Sequence, residues 1–174
     1  METEEKVLLE ANIAIRRSPD EVWAYLAEVN NVAHWDRGVA STEVTSAAPP
    51  GIGFEFDTLA RSSRTAEEKD WGRMSYRITD VDRDRGCTIQ LTSKTGNARY
   101  FRQAEWRFHV EAEGQGSRVF CAADFRLRFP WQILAPVLFF MKGAILRDLE
   151  SLRQRLESGT AAGAPAAKQT VARP

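Results

Sequence analysis

The sequence predicts an α+β fold in which seven antiparallel strands form a sheet with one apolar face and a long C-terminal helix covers it. Three patterns carry that prediction. Segments alternating apolar and polar side chains occur seven times with turn residues between them. A capped helical stretch interrupts the series once, directly after the first strand. A broad apolar stripe at helical spacing then ends the patterned part of the chain.

The first strand is "KVLLEANIAIR", where Val7, Leu9, Ala11, Ile13 and Ile15 alternate with Leu8, Glu10, Asn12 and Ala14. The switch to helix follows at once. Ser18 can accept from the free amide at Glu21 while the Glu21 carboxylate reaches back, Pro19 occupies a position where its missing donor costs nothing, and Asp20 suits the positive end of the dipole. Val22, Leu26 and Val29 recur at helical spacing with Trp23 and Ala27 flanking them. "NN" then ends or bends this helix, and "VAHW" offers a second short turn.

"VASTEVTS", the turn "APPGIG" and "FEFDTLAR" read as a hairpin, with Phe54 and Phe56 on one face. Further extended segments are expected at about residues 71–82, 86–95, 99–112 and 117–129, a tight meander punctuated by "DRDRG", "KTGN" and "EGQGS". Period two puts Met74, Tyr76 and Ile78 on one face, and likewise Cys87, Ile89 and Leu91. It does the same for Tyr100, Ala104, Trp106, Phe108 and Val110, and for the set from Val119 through Cys121, Ala123 and Phe125 to Phe129. From Pro130 a helix is expected to residue 158, striped by Leu134, Leu138, Met141, Ile145, Leu149, Leu152 and Leu156. Pro136 should delay or kink it, and Gly143 weakens the next turn. A sheet with one apolar face needs a cover, and this is the one long amphipathic element available to provide it.

The chain of 174 residues is long enough for one self-sufficient core, spanning 1–157. Residues 158–174 are small and polar, with Val171 as their only large aliphatic, and should stay disordered. Lys plus Arg and Asp plus Glu both number 24, so no overall field recommends nucleic acid or an anionic membrane, and association must rest on local surfaces. The acidic N-terminus lacks a secretory pattern and "ILAPVLFFM" is too short to span a bilayer, so a cytoplasmic protein without a transmembrane segment is expected. Cys87 and Cys121 suit neither a metal knuckle nor a redox pair and read as small buried residues. No metal or cofactor is expected.

With "SPDEVWAYLAEVNNVAHWDRGV", the Gly-x-Gly-aromatic of "GIGFEF" and the closing "LRDLESLRQRLE", residues 5–157 resemble the START-like, or SRPBCC, superfamily, and most of all its polyketide cyclase/dehydrase branch. The resemblance implies a helix-grip fold, a curved sheet wrapped around the terminal helix with a cavity between them and the two short helices closing one end. His34, Trp35 and Asp36 would then plug or gate the rim. It also implies a strand between those bearing Cys87 and Cys121, a separation of roughly 9.6 Å and too far for a disulfide.

The residues expected to face a ligand are Trp35, Phe54, Phe56, Tyr76, Ile78, Ile89, Leu91, Arg102, Trp106, Phe125, Leu138, Met141 and Ile145. Packing is the competing use for the aromatics, Trp35 included. Tyr76 offers a hydroxyl for orienting a ligand, and Thr58 and Ser93 further polar contacts. Strict alternation puts Arg102 on the apolar face, where it could anchor a carboxylate or phenolate, unless a bulge lets it reach solvent or an acid such as Asp80. His34 is better used at the surface or in capping, and His109 lies on the charged face of its strand. Catalytic residues are not identifiable, since no paired carboxylates, nucleophile triad or phosphate loop is visible.

Val137 to Met141 cannot all be hidden by one helical face, so some must face the cavity and others the sheet rim, a partner or a lipid surface; cavity packing or a homodimer through the terminal helix is the simpler reading. The leading expectation is binding or carriage of a small hydrophobic ligand: a lipid, an isoprenoid or a polyketide-like aromatic. A cyclase or dehydratase using the same cavity is the first alternative, and a protein-interaction module the second.

Overall fold

A computed structural model describes residues 6–47 and 49–159; the expected disordered tail lies, from residue 160 on, outside them. β1 (Lys6–Ile15) buries Val7, Leu9, Ala11 and Ile15 on one face, as its period of two requires. α1 (Pro19–Ala27) begins with the expected reciprocal cap. Glu21 N donates to Ser18 Oγ at 3.3 Å, and Ser18 N donates to Glu21 Oε2 at 3.0 Å. A 3-10 turn at Val29–Asn31 leads into the single-turn α2 (Val32–Trp35).

The meander that follows is β2 (Val39–Val44), β3 (Glu55–Ala60), β4 (Arg73–Asp82), β5 (Gly86–Leu91), β6 (Phe101–Glu113) and β7 (Gly116–Leu127). The seven strands lie in the order β1-β7-β6-β5-β4-β3-β2, every neighbouring pair antiparallel. Cys87 pairs with Phe108, which pairs with Cys121, so β6 separates the two free thiols.

Three expectations are corrected here. Strand β4 starts at residue 73 because α3 (Ala66–Gly72) occupies the preceding segment, held by a second capping box between Thr65 and Glu68. Strand β5 ends at Leu91, and Gly96–Tyr100 forms a 3-10 turn packed under α3. Gly96 is needed there: its φ is 58°, and a Cβ would lie 2.7 Å from the Trp71 carbonyl oxygen. The continuous terminal helix is broken as well. A 3-10 turn at Trp131–Leu134 and the short α4 (Ala135–Leu138), with Pro136 in its first turn, precede a break at Phe139 and Phe140. The regular α5 then runs Met141–Glu157.

Helix α5 packs chiefly against β1, and Leu149, Leu152 and Leu156 join Ala11, Ile15, Val110 and Val119 in one buried cluster. Its end is fastened to the corner after β1, where Arg16 N donates to Glu157 Oε1 at 2.9 Å and Arg17 Nε to the Leu156 carbonyl at 2.9 Å. A second cluster fills the space under α4 with Val7, Leu9, Ala104, Phe125 and Leu138. The third, on β3 and β4, comprises Val29, Phe54, Phe56, Tyr76 and Ile78. Leu134, in the 3-10 turn before α4, and Met141, at the start of α5, both assigned to the helix stripe from spacing, are exposed.

Candidate functional site

A cavity of about 120 Å³ lies between the concave face of β3–β6 and the roof made by α1, the turn after it and α2. Period two supplies its floor: Phe56 and Thr58 from β3, Tyr76 from β4, Cys87 and Ile89 from β5, Trp106 and Phe108 from β6. The roof contributes Leu26, Val29, Val32 and Trp35, and the loop into β2 adds Asp36 and Val39. Rings set the shape. Phe56 stacks on Tyr76 with centroids 5.5 Å apart, Tyr76 meets Trp106 edge-on at 5.5 Å, and Trp35 meets Phe108 edge-on at 6.0 Å.

Few polar groups face this apolar space. Burial, reinforced by the neighbouring Asp148 carboxylate, pushes Asp36 up to about 6, against the opposing pull of the Gly38 and Val39 amides and of Arg61. Gly38 N donates to Asp36 Oδ1 at 2.8 Å, and Arg37 N donates to Asp148 Oδ1 at 3.1 Å, so both carboxyls are tied to one loop. Arg61 steadies that loop from outside: its guanidinium donates to the carbonyls of Ala33, Arg37 and Val39 at 3.2, 3.2 and 2.5 Å.

Tyr76 is pushed upward by burial while its hydrogen bond with Thr58 pulls the other way, and its hydroxyl donates to Met74 Sδ at 3.8 Å. Trp35 Nε1 is buried with no protein hydrogen-bond partner. Burial raises Cys87 to about 11 and Cys121 to about 12, so neither is a thiolate nucleophile near neutrality. Among the described residues no group of His, Cys, Asp or Glu is arranged to hold a metal ion, and no helix is long and apolar enough to cross a membrane.

A family model described as "Polyketide cyclase / dehydrase and lipid transport" matches residues 6–157. The chain belongs to this family. No curated protein matches it in sequence. Among solved structures, the Zhui aromatase/cyclase from Streptomyces sp. R1128 superposes with a TM-score of 0.70 at 13% identity, covering 91% of this chain and 98% of that one. A Thalictrum flavum norcoclaurine synthase mutant bound to a transition-state analogue gives 0.69 at 12% identity, over 92% and 100%. A Thermus thermophilus protein gives 0.68 at 17%, over 89% and 100%. At these identities the likeness is one of fold: the START-like helix grip, an architecture that takes small hydrophobic molecules into an internal cavity.

In this family member the residues named from sequence divide sharply. Trp35, Phe56, Tyr76, Ile89 and Trp106 line the cavity. Phe54 and Ile78 are buried in the adjoining cluster, and Leu91 packs between two clusters. Phe125, Leu138 and Ile145 belong to the packed region under α4 and α5, while Met141 is exposed. The terminal helix does not form the expected cavity wall: it lies over β1, and α1 with α2 roofs the cavity instead.

Arg102 is also corrected. The register shifts between Phe101 and Gln103, and this bulge turns Arg102 out to the surface, into a small recess apart from the cavity. Ser93 lines that same recess, and its hydroxyl accepts from Ser75 N at 3.1 Å. His34 is exposed, and His109 Nε2 lies 3.2 Å from Glu111 Oε1. The sequence points to Asp36 only as part of the rim, not as an acid–base group, and gives no sign of Asp148. Parity alone would have nominated Cys87 and Phe108, which share faces with Ile89 and Trp106.

Proposed function

We propose that the chain is an enzyme of the cyclase/dehydratase kind acting on a compact substrate about one ring in size, with Asp36 as its acid–base group. One observation carries this reading: the half-buried, largely desolvated carboxyl of Asp36 lines an otherwise apolar cavity whose wall also holds Tyr76 and Thr58. A cavity near 150 Å³ holds a benzene ring, whereas drug-sized ligands need roughly 300 Å³ or more. Of the ligand kinds considered from sequence, the volume of about 120 Å³ therefore favours the aromatic over a lipid or isoprenoid.

In a dehydration, ionised Asp36 takes the proton from the carbon between a carbonyl and a hydroxyl-bearing carbon. The negative charge moves to the carbonyl oxygen, where the Tyr76 hydroxyl donates to it. As the double bond forms, the C–O bond breaks and the hydroxyl leaves as water with the proton held by Asp36, which returns to carboxylate. A carboxyl titrating near 6 both accepts and returns a proton near neutrality. Two fold relatives, a norcoclaurine synthase and an aromatase/cyclase, agree in kind with an enzyme reading.

The test is turnover of β-hydroxy ketones and short poly-β-ketone thioesters, followed by mass spectrometry for the loss of water. Asp36→Asn should lower kcat by about 100-fold or more while single-ring ligands still bind. Unchanged turnover in that variant would remove Asp36 from its role. Tight uptake of phenols without turnover of any substrate would instead favour carriage, which the apolar lining also suits.

A further inference from the structure

The second surface that demands explanation lies away from the cavity, between β7 and α5. Phe129, Ile133 and Phe140 are 80, 81 and 82% exposed, and Val137 and Phe139 are more than half exposed. Soluble monomers seldom leave so many large apolar side chains together in water.

The charge around them is one-sided. Residues 125–147 contain Arg126, Arg128, Lys142 and Arg147 and no Asp or Glu, although the whole chain is neutral. Beside the apolar segment lies a recess of about 40 Å³ whose charged lining is Lys94, Arg102 and Arg128, with Thr92 and Ser93 for hydroxyls. The two features are continuous. Arg128 Nε donates to the Phe101 carbonyl at 2.9 Å, Phe129 is its neighbour in sequence, and Tyr100 meets Trp131 edge-on at 4.8 Å.

We propose that the segment 128–142 docks on an anionic phospholipid surface, its exposed Phe, Ile and Val side chains entering the headgroup boundary and its flanking Arg and Lys meeting lipid phosphates. Apolar side chains ringed by cations are what such a surface selects. A second copy fits worse, because a self-complementary contact would set two patches of the same positive charge against each other. This inference is independent of the reaction assigned to the cavity.

The experiment is sedimentation of the full chain with phosphatidylcholine vesicles, with and without phosphatidylglycerol, at low and high salt. Binding is expected only to the anionic vesicles and should fade with salt. Phe139→Ser with Phe140→Ser should abolish it. Arg128→Ala with Lys142→Ala should weaken partitioning about 30-fold, at roughly five-fold per basic residue. All four residues are exposed, so an unchanged circular dichroism spectrum is expected and serves as the folding control. Absence of binding to anionic vesicles overturns the proposal, as does equal binding to neutral ones or binding indifferent to both double variants. Concentration-dependent dimerisation lost in the Phe139/Phe140 variant, with no vesicle binding, would assign the patch to a second copy instead.

Discussion

One continuous sheet carries two differently finished interiors. Under α5 the apolar face is filled, whereas under α1 and α2 it is not. The strand residues explain part of the difference, since Ala11 and Cys121 are small where they share a cluster with the leucines of α5. On the other side Phe56, Tyr76, Trp106 and Phe108 stand tall and rigid, and they meet edge-on or stacked rather than interdigitating with the roof. The covers differ too. α5 buries Leu149, Leu152 and Leu156 along its length, while α1 buries only Val22 and α2 only Trp35. A void persists where short covers rest on bulky rings.

The largest test of that contrast is a pair of truncations measured by chemical denaturation. Leu152→Ala, at a site with no exposure, should cost about 2–5 kcal/mol. Ile89→Ala borders space that already exists and should cost only about 1–2 kcal/mol. Equal losses would mean that the two interiors are packed alike.

A smaller effect separates the regions by pH. Asp36 titrates higher in the fold, at about 6, than a carboxyl in the unfolded chain, so ionising it opposes folding. That penalty is absent below the unfolded pKa, grows as pH rises toward 6 and is complete above it. Asp36→Asn should therefore be stabilising by on the order of 1–2 kcal/mol at pH 8 and close to neutral at pH 3.5, because the amide oxygen still accepts from Gly38. A stability difference independent of pH would show that Asp36 is not held in a desolvated site. Smallest of all, Arg102→Ala should leave both stability and cavity binding within about 0.5 kcal/mol of the parent, as a surface position predicts.

The filled region was largely legible in the sequence, and the void was legible only in part. Alternation in β1 and β7 and the spacing of Leu149, Leu152 and Leu156 are periodic signals, and the capping box at Ser18 fixed where α1 begins. Trp35, Phe56, Tyr76, Ile89 and Trp106 followed from the same parity. For Arg102, parity points to the apolar face and a bulge is the alternative; the register shift at this position decides for the bulge. The placement of α5 over β1 did not follow, because it depends on how the sheet curves. Asp36 is legible as a rim residue with His34 and Trp35, but its raised pKa is not, because the desolvation arises only when the fold closes over its loop. The helix at 66–72 carried a readable Thr65–Glu68 box, but its length of two turns was overlooked between strands.

The placement of β1 also bears on how the chain is made. Its partner is β7, with Ile15 opposite Ser117 and Lys6 opposite Arg126, so β1 leaves the ribosome about a hundred residues ahead of the strand that pairs it. Throughout that interval Val7, Leu9 and Ile15 are uncovered on a nascent chain. Closing the sheet therefore waits on its most sequence-distant pairing, and an edge strand left unpaired until then is open to other partners.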